Sequence, residues 1–447
     1  VGFCLHSGSQ IGRFMFRARV HGVCMLAPAT GCPLLRRCQP PIHQHTFRRP
    51  GQSFRSTARP PISLFVVGAV VTSKRRQLRC VSRAGSGMAS FGMTGHANGA
   101  ESLDLAAAVG PGVPSLSAQS VALLKEHGVI LEPIHPLGAK VLGLDLRGPE
   151  PPAVVLEALQ AEMASRGFLV FKDQGVLSGD EQCRASKFWG GREMHSTHGV
   201  HPKAPNAHIF RLSNNPDVGI NGVGPQWHND GSFEVGVFSH VGYHIVRVPE
   251  NGGDTCFVHQ GAAYDALPRE KQQYWSRLVS VNATSGVLHP LVHDHPISKR
   301  RSVYLHLGMT GGVLEKLEGK DGFRLLEEGD LVRLFNEYND LLNNGLPDKG
   351  EYAVSYNYKE GDCIFIDNLA IAHKASPQAH EDPGKQGLRI LHRTTVKAMR
   401  PFLPGFGLPP TATRELLMDA MEAAGGKGVF VAGGLGFRWD PSIRMQN

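Results

Sequence analysis

Three neighbouring segments near the start of the patterned part of the chain predict a helix, a strand and a second helix. Apolar residues recur at helical spacing over Val154–Arg166, and Gly167, a residue type that commonly follows the last helical turn, predicts the helix end. The short apolar and aromatic run Phe168–Phe171 predicts a strand. Ser178–Glu181 has the capping-box pattern, so a second helix should begin there and extend to about Trp189.

Beyond Trp227, short β-rich runs alternate with turn residues. The runs that predict strands are Val241–Val248, Thr255–Val258, Ser302–Leu307, Tyr352–Tyr358, Asp362–Ile366 and Arg389–Val396. Helical spacing predicts further helices at about Ala262–Leu278, Leu331–Asn343 and Arg414–Ala424. Many short strands with few helices favour a mainly β fold with flanking helices, a barrel or jelly roll, over a doubly wound parallel sheet.

Charge and patterning divide the 447 residues into four parts. Residues 1–100 are a basic leader, expected to be disordered or a transit peptide, and residues 101–130 are a linker with a short helix. Residues 131–403 form the predicted folded domain, and residues 404–447 a tail with one helix. No Asp or Glu precedes Glu101, so the net charge of +8 comes from the 14 Lys and Arg of the leader. The remainder has 33 basic and 39 acidic residues, which predicts no nucleic-acid partner.

The leader leaves two localisations open. Its acid-free composition, rich in Arg, Pro and Ser, is typical of transit peptides and predicts a plastid or a mitochondrion. The chain begins with Val, so a start near Met88 and a cytoplasmic location are the alternative. The apolar run Ile62–Thr72 is too short to span a bilayer, and no membrane partner is expected. Five of the eight Cys lie in the leader, and those beyond it are too widely spaced to predict a disulfide scaffold or a Cys-based zinc site.

The candidate chemistry begins at His228-Asn229-Asp230. On a strand, residues two apart share a face, so the imidazole and the carboxylate should lie side by side. With one more His they would form the 2-His-1-carboxylate triad of non-haem Fe(II) oxygenases. The spacing alone is weak evidence, because 22 His and 18 Asp give about one such pair by chance and the chain has two. The other pair, His380 and Asp382, lies in a segment typical of a polar loop.

The sequence downstream of this pair resembles the taurine/2,4-dichlorophenoxyacetate dioxygenase (TauD/TfdA) family of Fe(II)/2-oxoglutarate-dependent oxygenases. The resemblance covers about Leu131–Pro401. The motifs that carry it are Trp227–Asp230, Gly252–Thr255, Ala262–Leu267, His289–Val292, His295–Ser298, Asp367–Asn368 with His373, and Arg389–Arg393. The family implies a double-stranded β-helix, and it implies that residues 131–403 are the dioxygenase domain.

The resemblance also implies the roles of individual residues. His228, Asp230 and His373 would bind Fe(II), and Thr255 and Arg389 would hold 2-oxoglutarate. Arginine suits that task because its guanidinium donates two parallel hydrogen bonds to a carboxylate. The implied reaction uses O₂, releases succinate and CO₂ from 2-oxoglutarate, and hydroxylates a small organic substrate, taurine- or sulfonate-like or a related carboxylate.

The sequence gives weaker evidence for the residues that bind the substrate. Arg393 should share a strand face with Arg389 and is expected to bind an anionic group of the substrate; the alternative is a structural ion pair, for example with Asp367. His195 is a weaker substrate-binding candidate. His289, His293 and His295 are interpreted as strand and turn residues rather than as a metal cluster.

The last expectations concern activity and partners. A non-catalytic jelly-roll protein that binds a metal or ligand, or acts as a sensor, is the alternative to an enzyme. A homo-oligomer is possible on the sequence evidence, and the expected partner is a small-molecule substrate.

Overall fold

A computed structural model describes residues 112–190, 193–194, 199–344, 351–398 and 402–432. The helices of these ranges are α1 (Ala118–Glu126), α2 (Ala153–Arg166), α3 (Gly179–Ser186), α4 (Gln260–Asp265), α5 (Arg269–Trp275), α6 (Glu328–Asn344), α7 (Pro383–Gln386) and α8 (Arg414–Ala423), with 3-10 helices at Lys187–Trp189 and Pro377–His380. The strands are β1 (Ile130–Pro133), β2 (Ala139–Leu142), β3 (Phe168–Phe171), β4 (Phe210–Ser213), β5 (Phe238–Arg247), β6 (Thr255–His259), β7 (Leu278–Asn282), β8 (Leu288–Pro290), β9 (Val292–Asp294), β10 (Arg301–Val303), β11 (Thr310–Lys316), β12 (Phe323–Leu325), β13 (Ala353–Tyr356), β14 (Cys363–Asp367), β15 (Ile371–Ala375) and β16 (Ile390–Lys397).

Two sheets form the centre of the fold. A seven-stranded sheet has the order β1-β2-β3-β14-β5-β16-β4, and a three-stranded sheet has the order β13-β6-β15. Every pairing in them is antiparallel except that of β2 with β3. Apolar side chains of both sheets, including Tyr243, Phe257 and Ile364, share one buried cluster. The mainly β fold with flanking helices, a jelly roll of the double-stranded β-helix type, is therefore confirmed.

The larger sheet buries its second face as well. Successive strand residues point to opposite faces, and in β14 Ile364 joins the core between the sheets while Phe365 packs outward. Leu159 and Met163 of α2 cover that outer face together with Trp189. Helices on the outer face explain why β14 is buried along its whole length rather than alternating.

Most of the predicted elements are present. The helix α2 ends at Gly167, whose φ of 91° lies in the region that favours glycine, and β3 has the predicted bounds. Both hydrogen bonds of the predicted capping box form between Ser178 and Glu181 at the start of α3. The amphipathic helix α6 buries one face, including Leu334 and Tyr338.

Two predicted elements were wrong in extent. The segment predicted as one helix over Ala262–Leu278 is two, α4 and α5, because Pro268 lies between them and acts as the N-cap of α5, while Leu278 begins a strand. The strand predicted over Ser302–Leu307 stops at Val303. The residues after it form a loop that reaches the candidate site.

Segments outside the central sheets also contribute to the core. The helix α1, within the expected linker, buries Leu124 in the same cluster as α2. In the tail, α8 lies against β12 and buries Ala420. In the described part of the chain no helix is both long and apolar enough to cross a membrane. The leader and His195 lie outside the described residues.

Candidate metal centre and adjoining pocket

His228 and His373 are brought together by backbone pairing. His228 was predicted to lie with Asp230 on a strand, but it forms an isolated bridge to His373 and the chain then turns. Each histidine N–H donates to the other's carbonyl oxygen, at N···O distances of 3.1 and 3.0 Å. The ring centroids are consequently 4.3 Å apart. The two imidazoles adjoin because a short antiparallel bridge joins their backbones.

Asp230 is held by Asn368 rather than by a strand. The Asn368 side chain accepts a hydrogen bond from the Asp230 N–H at 2.9 Å and donates one to the Asp230 carbonyl oxygen at 2.8 Å. The neighbouring Asn229 side chain donates to the carbonyl oxygens of Asn368 and Ile371. These bonds satisfy the polar groups of a buried turn and fix the direction in which the Asp230 carboxylate leaves the backbone.

The ligand-type atoms of His228, Asp230 and His373 all lie within 4.8 Å of one another, and all three residues are buried. Each histidine Nε2 is 3.9 Å from an Asp230 carboxylate oxygen. Metal–ligand bonds of about 2.0–2.2 Å place two ligands of one ion no more than ~4.4 Å apart. The separations therefore suit a single ion with little movement.

The protonation states also suit a divalent cation. His228 donates from Nδ1 to the Gln226 carbonyl oxygen at 2.7 Å, which leaves the Nε2 lone pair facing Asp230. Burial lowers the pKa of both His228 and His373, so the imidazoles are neutral. Burial alone would raise the pKa of Asp230, but the positive charge of the adjacent Arg393 favours the carboxylate, and the pKa is lowered. Two neutral nitrogens and one carboxylate match the donor set of a non-haem Fe(II) site.

Arg393 contacts the same carboxylate. Its Nη1 lies 2.8 and 3.1 Å from the two Asp230 oxygens, and its guanidinium carbon is 4.6 Å from the centre of the Phe210 ring. The expected alternative partner, Asp367, instead accepts a hydrogen bond from His295 at 3.0 Å. Arg393 is therefore paired with the candidate metal carboxylate itself.

A pocket with a cavity volume of about 40 Å³ lies beside the three residues. Its walls include His228 and His373 and the sequence-predicted Thr255, Arg389 and Arg393. Asp230 is not part of the pocket wall but contacts Arg393, which is. His195 lies outside the described residues.

Arg389 enters the pocket just before β16 and makes no ion pair with any carboxylate of the described residues. Its Nε donates to the Gly253 carbonyl oxygen at 3.1 Å, and its N–H donates to Asn214. Gly253 has a φ of 84°, and a Cβ there would lie 2.6 Å from Pro249, so this approach requires glycine. Burial lowers the pKa of Arg389. A buried guanidinium without a carboxylate partner is suited to an anionic ligand.

His306 is a residue of this site that the sequence reasoning missed. Its ring centroid is 5.3 Å from that of His228, and burial lowers its pKa to about 3. Its Nδ1 accepts a hydrogen bond from the Met309 N–H at 3.2 Å, so Nε2 carries the ring proton. A Cβ on Gly308 would come within 2.8 Å of the Gln226 side chain, so the loop folds tightly. Gly308, two residues after His306 in a run predicted as a strand, is the local signal of a loop that could have drawn attention to this histidine.

Comparison with known proteins agrees with this geometry. Residues 114–395, well over half of the chain, match the model of the taurine catabolism dioxygenase TauD, TfdA family. The chain belongs to this family. It is an Fe(II)- and 2-oxoglutarate-dependent dioxygenase that uses O₂, as the sequence predicted, rather than a non-catalytic jelly-roll protein.

Individual relatives are distant. The chain is 27% identical over 281 residues to an alpha-ketoglutarate-dependent 2,4-dichlorophenoxyacetate dioxygenase of Cupriavidus pinatubonensis, covering 55% of this chain and 91% of that protein. It is 25% identical over 301 residues to an alpha-ketoglutarate-dependent sulfate ester dioxygenase of Pseudomonas putida, covering 60% and 90%. A solved taurine dioxygenase from Burkholderia xenovorans is 21% identical with a TM-score of 0.48, over 61% of this chain and 91% of that one.

Proposed function

We propose that the protein hydroxylates a small anionic organic molecule, a sulfonate, sulfate ester or aryloxyalkanoate, with Fe(II) held by His228, Asp230 and His373. The observation that carries the proposal is the convergence of two neutral imidazoles and one ionised carboxylate beside a pocket with two buried arginines in its wall. The names of the relatives support the substrate class, because they act on a sulfate ester and on an aryloxyacetate.

Thr255 and Arg389 are proposed to hold 2-oxoglutarate. Both line the pocket, and the Arg389 guanidinium has no carboxylate partner among the described residues. The distal carboxylate of 2-oxoglutarate would accept two hydrogen bonds from Arg389 and one from the Thr255 hydroxyl. The buried wall around Arg389 keeps water from competing for these bonds.

Bound Fe(II) would supply three coordination positions for 2-oxoglutarate and O₂ and the means to oxidise an unactivated C–H bond. The residues of the chain then have to orient the reactants. His228 keeps its proton on Nδ1 through the Gln226 carbonyl oxygen, which leaves Nε2 free to coordinate. If the hydroxylated carbon carries a sulfonate or an ether oxygen, the product breaks down spontaneously.

Arg393 is proposed to serve both the substrate and the metal carboxylate. The Arg393 guanidinium would donate hydrogen bonds to an anionic group of the substrate. Its hydrogen bond to Asp230 would hold that carboxylate in the direction needed for metal coordination. The two roles are compatible because a guanidinium has five N–H donors.

Succinate formation is the direct test. The purified protein with Fe(II), ascorbate, O₂ and 2-oxoglutarate is given a panel of alkyl sulfonates, alkyl sulfates and aryloxyacetates, each paired with the uncharged alcohol or amide of the same carbon skeleton. Succinate should form with at least one anion and much more slowly with its uncharged match. Equal rates with both members of every pair would contradict the proposed substrate class, and no succinate with any compound would contradict the metal and 2-oxoglutarate roles.

A further inference from the structure

Tyr243 lies in the wall of the pocket beside the metal-type residues His228, Asp230 and His373, and the proposed function gives it no role. In the ladder between β5 and β16, Tyr243 is the direct partner of Arg393. Directly paired residues of neighbouring strands point to the same face of a sheet. The Tyr243 ring also stands edge-on to that of His373, with 6.0 Å between the ring centroids. The phenol is therefore a neighbour of both a metal-type residue and an arginine of the pocket.

The Tyr243 hydroxyl makes no hydrogen bond to any of the residues that the structure describes, although the residue is only 6% exposed. The Tyr304 hydroxyl also lacks a partner, but it is sealed in the core, where no ligand can reach it. The Tyr243 hydroxyl is not one of these sealed atoms, and its residue lines the pocket. A phenol O–H at a pocket wall without a protein acceptor is available to donate to a bound molecule.

The charges around the phenol favour an anionic acceptor. Burial raises the pKa of Tyr243 well above its usual value, and the negative charge of Asp230 adds to this increase, so the phenol keeps its proton. Asp230 balances the charge of Arg393 through their ion pair. Arg389, also in the pocket wall, makes no ion pair with a carboxylate of the described residues and leaves one positive charge uncompensated. A carboxylate bound there would accept hydrogen bonds from both the guanidinium and the phenol.

We propose that Tyr243 is a further binding residue for 2-oxoglutarate, donating a hydrogen bond from its phenol to a carboxylate oxygen of this ligand. The inference rests on the proposed function of the pocket, in which Arg389 donates two hydrogen bonds and Thr255 donates one. All three residues line the pocket. A carboxylate has about four acceptor positions, and 2-oxoglutarate has two carboxylates, so Arg389 and Thr255 leave acceptor capacity for the phenol.

Calorimetry of 2-oxoglutarate binding to the full-length protein with Mn(II), under nitrogen, tests this role without turnover. Tyr243→Phe keeps the ring beside His373 and removes only the hydroxyl. Its affinity for 2-oxoglutarate should fall by about tenfold or more, as expected for loss of a hydrogen bond to a charged group. Its affinity for Mn(II) should be unchanged, because the phenol is not a metal-type residue.

Tyr304→Phe is the matched control. It also removes a buried hydroxyl without a partner, but Tyr304 does not line the pocket, so 2-oxoglutarate binding should be normal. Without ligand, neither variant loses a hydrogen bond within the described residues, and both should unfold at the temperature of the unaltered protein. Saturating Mn(II) and 2-oxoglutarate should raise the unfolding temperature less in Tyr243→Phe than in the other two proteins, because tighter binding gives more stabilisation.

The outcomes separate this inference from the proposed function. Equal 2-oxoglutarate affinity in Tyr243→Phe and the unaltered protein would overturn the role of Tyr243 and leave the proposed function standing. No binding of 2-oxoglutarate by the unaltered protein would contradict the proposed 2-oxoglutarate site itself. The anionic group of the substrate is the competing acceptor, because Tyr243 and Arg393 are directly paired. A rise in KM confined to the best substrate of the sulfonate, sulfate and aryloxyacetate panel would assign the phenol to that group and also overturn the inference.

Discussion

Two regions of this protein contain the same residue types and differ in chemistry. Each has an aspartate close to histidines, but Asp367 accepts hydrogen bonds from His295 and from backbone N–H groups, whereas the Asp230 oxygens face two histidine Nε2 atoms at 3.9 Å and one arginine. The pocket beside Asp230 has arginines in its wall, whereas the buried ring of His240 near Asp367 is neutral, because burial lowers its pKa to about 4. The partners that each group already has, rather than the residue types present, decide what a cavity binds.

Removing a metal-type residue should have the largest effect. His373→Ala and Asp230→Ala should each lower Fe(II) affinity by more than about 100-fold, because even the loss of a residue that only supports a ligand costs 10–100-fold. Metal content after anaerobic reconstitution measures this. The other His-x-Asp pair supplies matched controls, His380→Ala and Asp382→Ala, which should retain iron. Normal metal content in His373→Ala and Asp230→Ala would contradict the assignment of these residues as metal ligands.

The next largest effect is expected at Arg389. Arg389→Ala should raise the 2-oxoglutarate concentration needed for half-maximal rate by one to several orders of magnitude, because loss of a buried charge partner costs about 2–5 kcal/mol. Fe(II) binding should survive. Steady-state succinate formation against 2-oxoglutarate concentration provides the measurement, and an unchanged requirement would contradict the proposed role.

Arg393→Gln should separate the two proposed roles of Arg393. Substrate KM should rise by about 10- to 100-fold, since one charge-assisted interaction is lost, while succinate still forms without coupled hydroxylation. Fe(II) affinity should also fall, though less than in Asp230→Ala, because Asp230 loses the donor that aligns it. If metal affinity fell while the substrate KM stayed the same, Arg393 would align Asp230 but would not bind the substrate.

The neutral histidines predict a pH dependence of stability. The unfolded chain protonates His293 near pH 6.5, whereas burial lowers its folded pKa to about 3. The contribution of His293 to the free energy of unfolding is therefore fully present above pH 6.5. It is lost as the pH falls, by up to about 1.4 kcal/mol per pH unit. Urea unfolding of His293→Phe between pH 7.5 and 4.5 should show a shallower loss than the unaltered protein. If the free energies of unfolding of the two proteins fell in parallel with pH, the pKa of His293 would be the same in the folded and unfolded chain.

The smallest effect is expected for the leader. A chain beginning at Met88 should match the full chain in succinate formation and thermal unfolding, because the leader contains none of the site residues. A substantial loss in either measurement would show that the leader is part of the fold.

Local patterns predicted the elements well where the determinants are local. Gly167 ends α2 and the capping box begins α3 because these signals act within a few residues. The break at Pro268 was visible in the sequence but was outweighed by the helical spacing on either side. The family motifs named His228, Asp230 and His373, whose ligand-type atoms lie close together, and Thr255 and Arg389, which line the adjoining pocket.

Long-range contacts could not be predicted in the same way. Arg393 and Asp230 are 163 residues apart, and no local pattern links them. The expectation of a strand at His228–Asp230 was wrong for a similar reason: the tertiary bridge to His373 and the bonds from Asn368 determine this backbone, rather than β propensity.

The Asn229 side chain joins segments 139 and 142 residues away in the sequence. Such contacts form only after long loops have closed, so the unfolded chain has no preformed set of metal ligands. An ion that binds only the folded form stabilises it by mass action, by about 2.7 kcal/mol at a free concentration 100 times its dissociation constant. Scarcity of that ion would therefore shorten the lifetime of the protein in the presence of proteases as well as lower its activity.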